Sequence, residues 1–303
     1  MTGYAGVPSD PAISPLRLPG KPTITICSAV WGRLPLTGVW YAGLARVRKR
    51  FIANGIVSRL VVVASDSYHA QLFGAVGRLM KADTLVVGPN KPLGAKWNAA
   101  IVTARQEWTD YIMILGSDDF LSDAIVDQMS AKMIEGHRHI GLHGLYFADH
   151  ESGSALRWFG GDRPAGPGRI IASDLMPRRG PWPDGQQWAM DAELHRALGS
   201  PAIELIKVGP SAIALDVKYS DNIWGYPQLC RSLPGRVEPA SPATIRMAIP
   251  EYAKVMALPK PRFDDQADVQ RPPIANIRRM SYDELVEQGL MPSDAPLEVA
   301  AHG

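Results

Sequence analysis

The sequence predicts an α/β protein built on a mostly parallel sheet flanked by helices, with a loop-rich layer and a C-terminal extension after it. Three observations predict this. Apolar, β-branched runs at residues 23–30, 59–64, 84–87 and 111–115 alternate with segments of helical apolar spacing. That alternation is the pattern of a parallel sheet with right-handed crossovers. Three of the four runs then stop at polar or special residues: Trp31-Gly32-Arg33, Ser65-Asp66 and Gly116-Ser117-Asp118-Asp119. Ligands of open α/β sheets bind outside the carboxyl ends of the strands, so these stops are expected along one rim and mark a candidate site.

Bulk composition bounds the class. The 303 residues are 46% hydrophobic and 20% charged, with 32 Lys plus Arg against 30 Asp plus Glu. A net charge of +2 does not by itself argue for nucleic acid or membrane as partner. Two cysteines, Cys27 and Cys230, make neither a disulfide framework nor a zinc cluster. Cys27 falls within an apolar strand and reads as a small core residue. No apolar run reaches the ~18 residues of a membrane span, and the first residues lack the basic and apolar regions of a signal peptide. A cytoplasmic protein is expected.

Residues 1–21, punctuated by Pro8, Pro11, Pro15 and Pro19, read as an extended arm. Residues 22–230 read as the main domain and residues 231–303, rich in proline, as an extension. After the first strand, Trp40, Leu44, Val47 and Phe51 mark the apolar face of a helix over residues 37–54, with Gly55 behind it as C-cap. Arg46, Arg48, Lys49 and Arg50 lie away from that stripe, as a solvated face or a contact to phosphate backbone. A helix is expected around residues 69–81. Another over 93–108 presents Trp97, Ala100, Ile101, Ala104 and Trp108 inward and carries Lys96 and Asn98 in its first turns. Residues 111–115 are the central buried strand, and a helix over 122–135 follows, with Ser122 and Asp123 as cap and first-turn acid. The adjacent Asp118 and Asp119 have two explanations: hard oxygen ligands for a divalent cation, or part of that helix cap.

Residues 139–180 change character, with two short strands around Ser152-Gly153-Ser154 and then a loop-rich layer of Gly, Pro and Arg. His143 and His150 have no partner at metal-ligand spacing and read as ordinary polar contacts. A helix over residues 186–198 puts Trp188, Asp191 and His195 on one face. Asp191 and His195 make either a helix-surface pair or a general base beside an aromatic platform. Strands follow at residues 205–208 and 212–217, then a polar, aromatic loop with Asp221, Asn222 and Trp224, and one helix over residues 281–289.

Taken in order, these residues resemble nucleotide-sugar glycosyltransferases of the GT-A fold, most like the family-2 inverting enzymes, over roughly residues 22–220. TITICSAVWGR resembles the nucleotide-binding first strand, which places Arg33 by the donor. LVVVASDS resembles the second strand, whose terminal Asp, here Asp66, contacts the nucleoside. LGAKWNAAI resembles the helix start that puts Lys96 and Asn98 near the donor. YIMILGSDDFLS resembles the strand ending in Asp-x-Asp, and WAMDAELHRAL the helix carrying the acidic base, Asp191. The chain departs from the pattern at Gly116, which stands where the family has its first Asp; Asp118 matches the second and Asp119 the acid after it. No late His matches the further metal ligand of some relatives; Asp216 or Asp221 are the substitutes on offer.

The resemblance implies Mn²⁺ or Mg²⁺ on Asp118 and Asp119, a nucleotide-sugar donor such as a UDP-sugar, and inverting transfer to an acceptor hydroxyl. Acceptors from a glycan to a modified DNA base fit. Trp182, Trp188 and Trp224 are either packed aromatics or faces for sugar and base rings. A nucleotidyltransferase is the first alternative, although SAVWGRLPL lacks its Gly-rich basic loop. A non-catalytic nucleotide or sugar-binding module is the second, suggested by Gly116.

Overall fold

The computed structural model describes residues 5–6, 20–77, 83–161, 163–186, 190–199, 202–219, 226 and 237–259. The expected strands β2 (Thr23–Val30), β3 (Val57–Ala64), β4 (Thr84–Val87) and β5 (Tyr111–Ile114) run parallel at the centre of an eight-stranded sheet. With β1 (Ala5–Gly6), β7 (His139–His143), β10 (Arg169–Ala172) and β11 (Glu204–Lys207), its order is β1-β4-β3-β2-β5-β10-β7-β11. Only β1 and β10 oppose the common direction. This is the mostly parallel, helix-flanked sheet that the alternating pattern predicts.

The sequence pattern predicts loop where β10 stands. Its four residues follow Gly166-Pro167-Gly168 and begin with an arginine, so no apolar run announces them. Its partners supply what the local sequence lacks, since Ile170 and Ile171 fill a slot between β5 and β7. The 139–158 region likewise holds three strands rather than two: β7, β8 (Leu145–Asp149) and β9 (Ala155–Trp158). Gly144, at φ 109°, breaks the run between β7 and β8 and sends the chain into a second sheet.

That second sheet has the order β13-β9-β8-β12-β6, with β6 (Asp119–Leu121), β12 (Ala214–Lys218) and β13 (Val237–Pro239). The chain therefore crosses from the large sheet to the small one after β5, after β7 and after β11. Asp119 is thus not part of a helix cap but the head of a strand.

Helices cover the large sheet. α1 (Leu34–Ala53) begins three residues earlier than its apolar stripe suggests, because Pro35 is tolerated in a first turn. α2 (Ser67–Leu72) continues into one π turn, Phe73–Gly77. α3 (Leu93–Gln106) buries Ala100, Ile101 and Ala104 against β2 and β3, but it ends before Trp108, whose left-handed backbone (φ 54°) turns it out to 79% exposure instead of inward. α4 (Asp123–Ile134) starts at Ser122, whose hydroxyl accepts from the Ile125 and Ile213 amides. α5 (Met190–Ala197) follows, then α6 (Pro242–Ala248) and α7 (Tyr252–Met256). Ile245, Ile249, Tyr252 and Val255 of this last segment join the main core. The expected helix at 281–289, Cys230, Trp188, Asp221, Asn222 and Trp224 lie outside the described residues.

The basic cluster of α1 is a solvated face only in part, at Lys49 and Arg50. Arg48 is fully buried and clamps Asp83 with two 2.7 Å bonds. Arg50 grips Asp127 at 2.6 Å through two nitrogens, and Arg46 bridges Glu251 and Asp123. These guanidiniums hold α1 to α4, α7 and the 83 loop; Lys49 remains exposed. Cys27 is buried in the core and burial pushes its thiol upward, as a small core residue requires.

Candidate functional site

Of the sequence-predicted residues, Arg33, Asp118 and Asp119 meet directly, with Lys96 and Asp66 in the same electrostatic neighbourhood, whereas Asn98 engages the Trp182 backbone. Arg33, the residue before α1, has a left-handed backbone (φ 50°); its carbonyl accepts from the Thr37 amide at 3.0 Å, but its side chain makes no cap bond. Its side chain reaches across to Asp118, donating to Oδ2 at 2.9 Å. Asp119 lies one residue on and is turned back, accepting from the Gly116 amide at 2.6 Å. On β12, Asp216 is the register partner of Asp119. Carboxylate oxygens of Asp118, Asp119 and Asp216 all lie within 4.8 Å of one another.

Two like charges directly opposite on antiparallel strands are destabilising, and both of these are buried, at 6% and 8% exposure. Burial first, then the Asp216 and Asp118 charges, hold the Asp119 carboxyl well above the usual carboxylate range. Burial, with Asp118 adding to it, pushes Asp216 up to about 6 against the pull of Lys218 and Arg33. Lys218 donates to Asp216 Oδ2 at 2.6 Å. Burial opposes its charge, but the surrounding carboxylates outweigh burial and raise it. Asp216 Oδ1 is buried with no hydrogen-bond partner.

Three hard oxygen donors in one cluster, one of them an orphaned buried acceptor, fit a divalent cation. Asp216 is thus the candidate ligand that the sequence offered beside Asp221 without choosing between them. Lys218 was missed; its apolar strand gave no signal beyond its place beside Asp216.

Gly116 belongs to this geometry. A Cβ there would lie 2.6 Å from Asp119 Oδ2 and 2.8 Å from Asp118 Oδ1. The two carboxylates fold over the glycine, so a larger residue at 116 would expel them.

At the carboxyl end of β2, Lys96 is buried at 1% exposure. Its ammonium donates to the Val30 carbonyl at the end of β2 (2.9 Å) and to Asn90 Oδ1 (3.0 Å). Burial brings it down to about 7, with Asp66 opposing and Arg33 reinforcing the shift. Lys96, Arg33 and Asp66 therefore share one electrostatic neighbourhood. Asp66 caps α2 and both its oxygens lie 2.8 Å from His69 Nδ1, while His69 Nε2 meets Thr37 at 3.3 Å. Asn98 is turned away from Lys96. It clasps the Trp182 backbone, donating to its carbonyl at 2.6 Å and accepting from its amide at 3.2 Å. It also lines a cavity of about 560 Å³ with Pro92, Ala99 and Asp184. Trp182 is a packed aromatic, buried beside Trp97 and donating from Nε1 to the Met190 carbonyl.

Asp191 stands near the start of α5 and keeps a solvent-exposed side. The protein packed around the rest of it pushes its carboxyl up, against the Arg169 and Lys218 charges. Lys218 thus acts on Asp191 as well as on Asp119 and Asp216. A lone acid with a raised carboxyl and an exposed side can take up a proton, while the separate cluster of three acids can hold a cation.

No protein-family model matches the chain, and no curated protein matches it. Among solved structures it is similar to S. aureus TarS 1–349, at 12% identity and TM-score 0.43, over 64% of this chain and 60% of that one. The chain thus spans less than two thirds of that structure. The same TarS fragment in complex with UDP-GlcNAc matches at 12% identity and TM-score 0.42, over 78% and 70%. HddC from Yersinia pseudotuberculosis matches at 14% identity and TM-score 0.39, over 64% and 92%. Likenesses this low carry no weight for function. No helix among the described residues is long and apolar enough to cross a membrane.

Proposed function

We propose that the chain is a metal-dependent glycosyltransferase that moves a sugar from a nucleotide-sugar donor to an acceptor hydroxyl, with inversion. The observation that carries this reading is the carboxylate triad. Asp119 and Asp216 are buried opposite one another, Asp118 completes the group, and Asp216 Oδ1 has no donor. The motif order of the sequence supplies the reaction class.

Asp118, Asp119 and Asp216 would hold Mn²⁺ or Mg²⁺. When bound, such an ion would supply positive charge for a leaving nucleoside diphosphate. Arg33, already paired to Asp118 at 2.9 Å, adds a fixed positive charge there. Lys96 adds a compact point charge suited to phosphate, and at about 7 its ammonium is available near neutrality. Asp191 accepts the proton of the acceptor hydroxyl as that oxygen attacks, with its exposed side giving the acceptor access. Direct displacement from the face opposite the diphosphate inverts the anomeric carbon.

The test is a thermal-shift panel of nucleoside diphosphates and nucleotide sugars, with and without Mn²⁺. A ligand that binds the folded chain raises its apparent stability in proportion to affinity. A Mn²⁺-dependent shift with a nucleotide sugar, lost in Asp216→Asn, is expected. No shift with any donor, with or without metal, would overturn the reading.

A further inference from the structure

Asp191 is held by a device that the motif order does not contain. The loop before β10 is fastened at both ends: the Ala165 amide donates to the Leu142 carbonyl of β7 and the Gly168 amide to the Ile114 carbonyl of β5, each at 2.8 Å. Between these anchors Gly166 lies flat against the Asp191 carboxylate. A Cβ at position 166 would stand 2.5 and 2.6 Å from the two carboxylate oxygens. Gly166 has no left-handed backbone, so the requirement is space alone.

Arg169 follows at the head of β10, at 1% exposure. Its Nη1 donates to the Asp191 main-chain carbonyl at 3.4 Å, while Nε and Nη2 are buried without a partner. A buried guanidinium with two unmet donors is costly unless its charge is used. Beside it His139, also buried and with neither ring nitrogen bonded, is brought down to about 4 by burial first and then by the Arg169 and His195 charges. His139 therefore stays neutral at physiological pH, while Arg169 contributes positive charge to Asp191.

We propose that Gly166 and Arg169 are positioning residues for Asp191: Gly166 provides the floor on which the carboxylate rests, and Arg169 ties down its main chain and sets a buried positive charge beneath it. The role of Asp191 as base rests on the function proposed above; the cradle itself does not. The groups acting on Asp191 are Arg169 from β10 and Lys218 from β12, and Arg163, His139 and His195 act in turn on that neighbourhood. Arg169 favours the ionised base, so removing it raises the Asp191 titration midpoint.

Carboxyl ¹³C NMR of the full chain labelled at aspartate, with Asp191→Asn to assign the resonance, reads this without any substrate. Arg169→Met is expected to move the Asp191 midpoint up by roughly one to three units, and Arg169→Lys to restore part of the shift. Gly166→Ala is expected to push the carboxyl into solvent and bring its midpoint toward the ~3.9 of an ordinary aspartate. An Asp191 midpoint unchanged in both Arg169→Met and Gly166→Ala would overturn the proposal. Should Arg169→Met lose its far-UV circular dichroism, the surface-loop change Gly166→Ala decides alone. Failure of the nucleotide-sugar panel leaves this result standing, and an unmoved midpoint leaves the panel standing.

Discussion

Two glycines, Gly116 and Gly166, each lie under carboxylates that a Cβ would strike at under 3 Å, yet their surroundings differ. At Gly116 three acids crowd together, two of them buried, and the glycine amide bonds back to Asp119. Such a cluster is stable only with cations near it, and Arg33 and Lys218 supply part of that charge. At Gly166 a single carboxylate rests with one side in solvent and one buried arginine below. The comparison teaches that the number of like charges and the access to water decide what a carboxylate on a glycine floor can do. The first site is suited to a cation and the second to a proton.

The largest effect separates the two sites directly. Asp191→Asn should lower sugar transfer by roughly 10²–10⁴-fold while leaving the Mn²⁺-dependent donor shift intact. Asp118→Asn should abolish both, and equal loss of donor binding in the two variants would break the comparison. Next, Gly116→Ala should weaken Mn²⁺ binding by roughly fivefold to a hundredfold, the equivalent of ~1–3 kcal/mol of overpacking. Calorimetric titration of Mn²⁺ into both proteins measures this, and unaltered affinity would show that the carboxylates do not need the glycine.

A third effect is a pH dependence on the donor side. Lys96 has a folded value of about 7, below its ordinary 10.5. The unfolded chain therefore binds more protons between those values, and ligand-free stability rises with pH across that window. Below about 7 both states are protonated and the slope disappears. Nucleoside diphosphate binding should run the other way, weakening as pH rises through 7 and the ammonium is lost. Urea melts and nucleotide titrations of Lys96→Met, flat in both respects, would confirm the source. The smallest effect is Ser122→Ala, which removes the α4 cap and a bond to the Ile213 amide behind the acid cluster. It should cost ~1 kcal/mol in urea denaturation without changing Mn²⁺ affinity.

Much of this was legible in the residues. The four parallel strands at the centre announce themselves as apolar runs, because strands covered on both faces need no alternation. Ser122 announced the start of α4 because a hydroxyl before an apolar helix has a local task. What escaped was decided by partners distant in sequence. β10 is four residues long and is a strand only because β5 and β7 leave a slot. Arg46, Arg48 and Arg50 read as a solvated or phosphate-binding face, since nothing near them names Glu251, Asp83 and Asp127 as their acids. Asn98 carried a place near the donor, and the structure engages its side chain with Trp182.

The α/β class, the run of central strands and the carboxylates at their ends can be read from the residues, because each follows from local periodicity and from where apolar runs stop. Which acids meet cannot be read that way. Asp216 faces Asp119 because two strands far apart in the chain pair in one register, and Gly166 reaches Asp191 because a loop is stapled between β5 and β7. Register and loop anchoring depend on backbone hydrogen bonds between distant segments, and no local pattern encodes those.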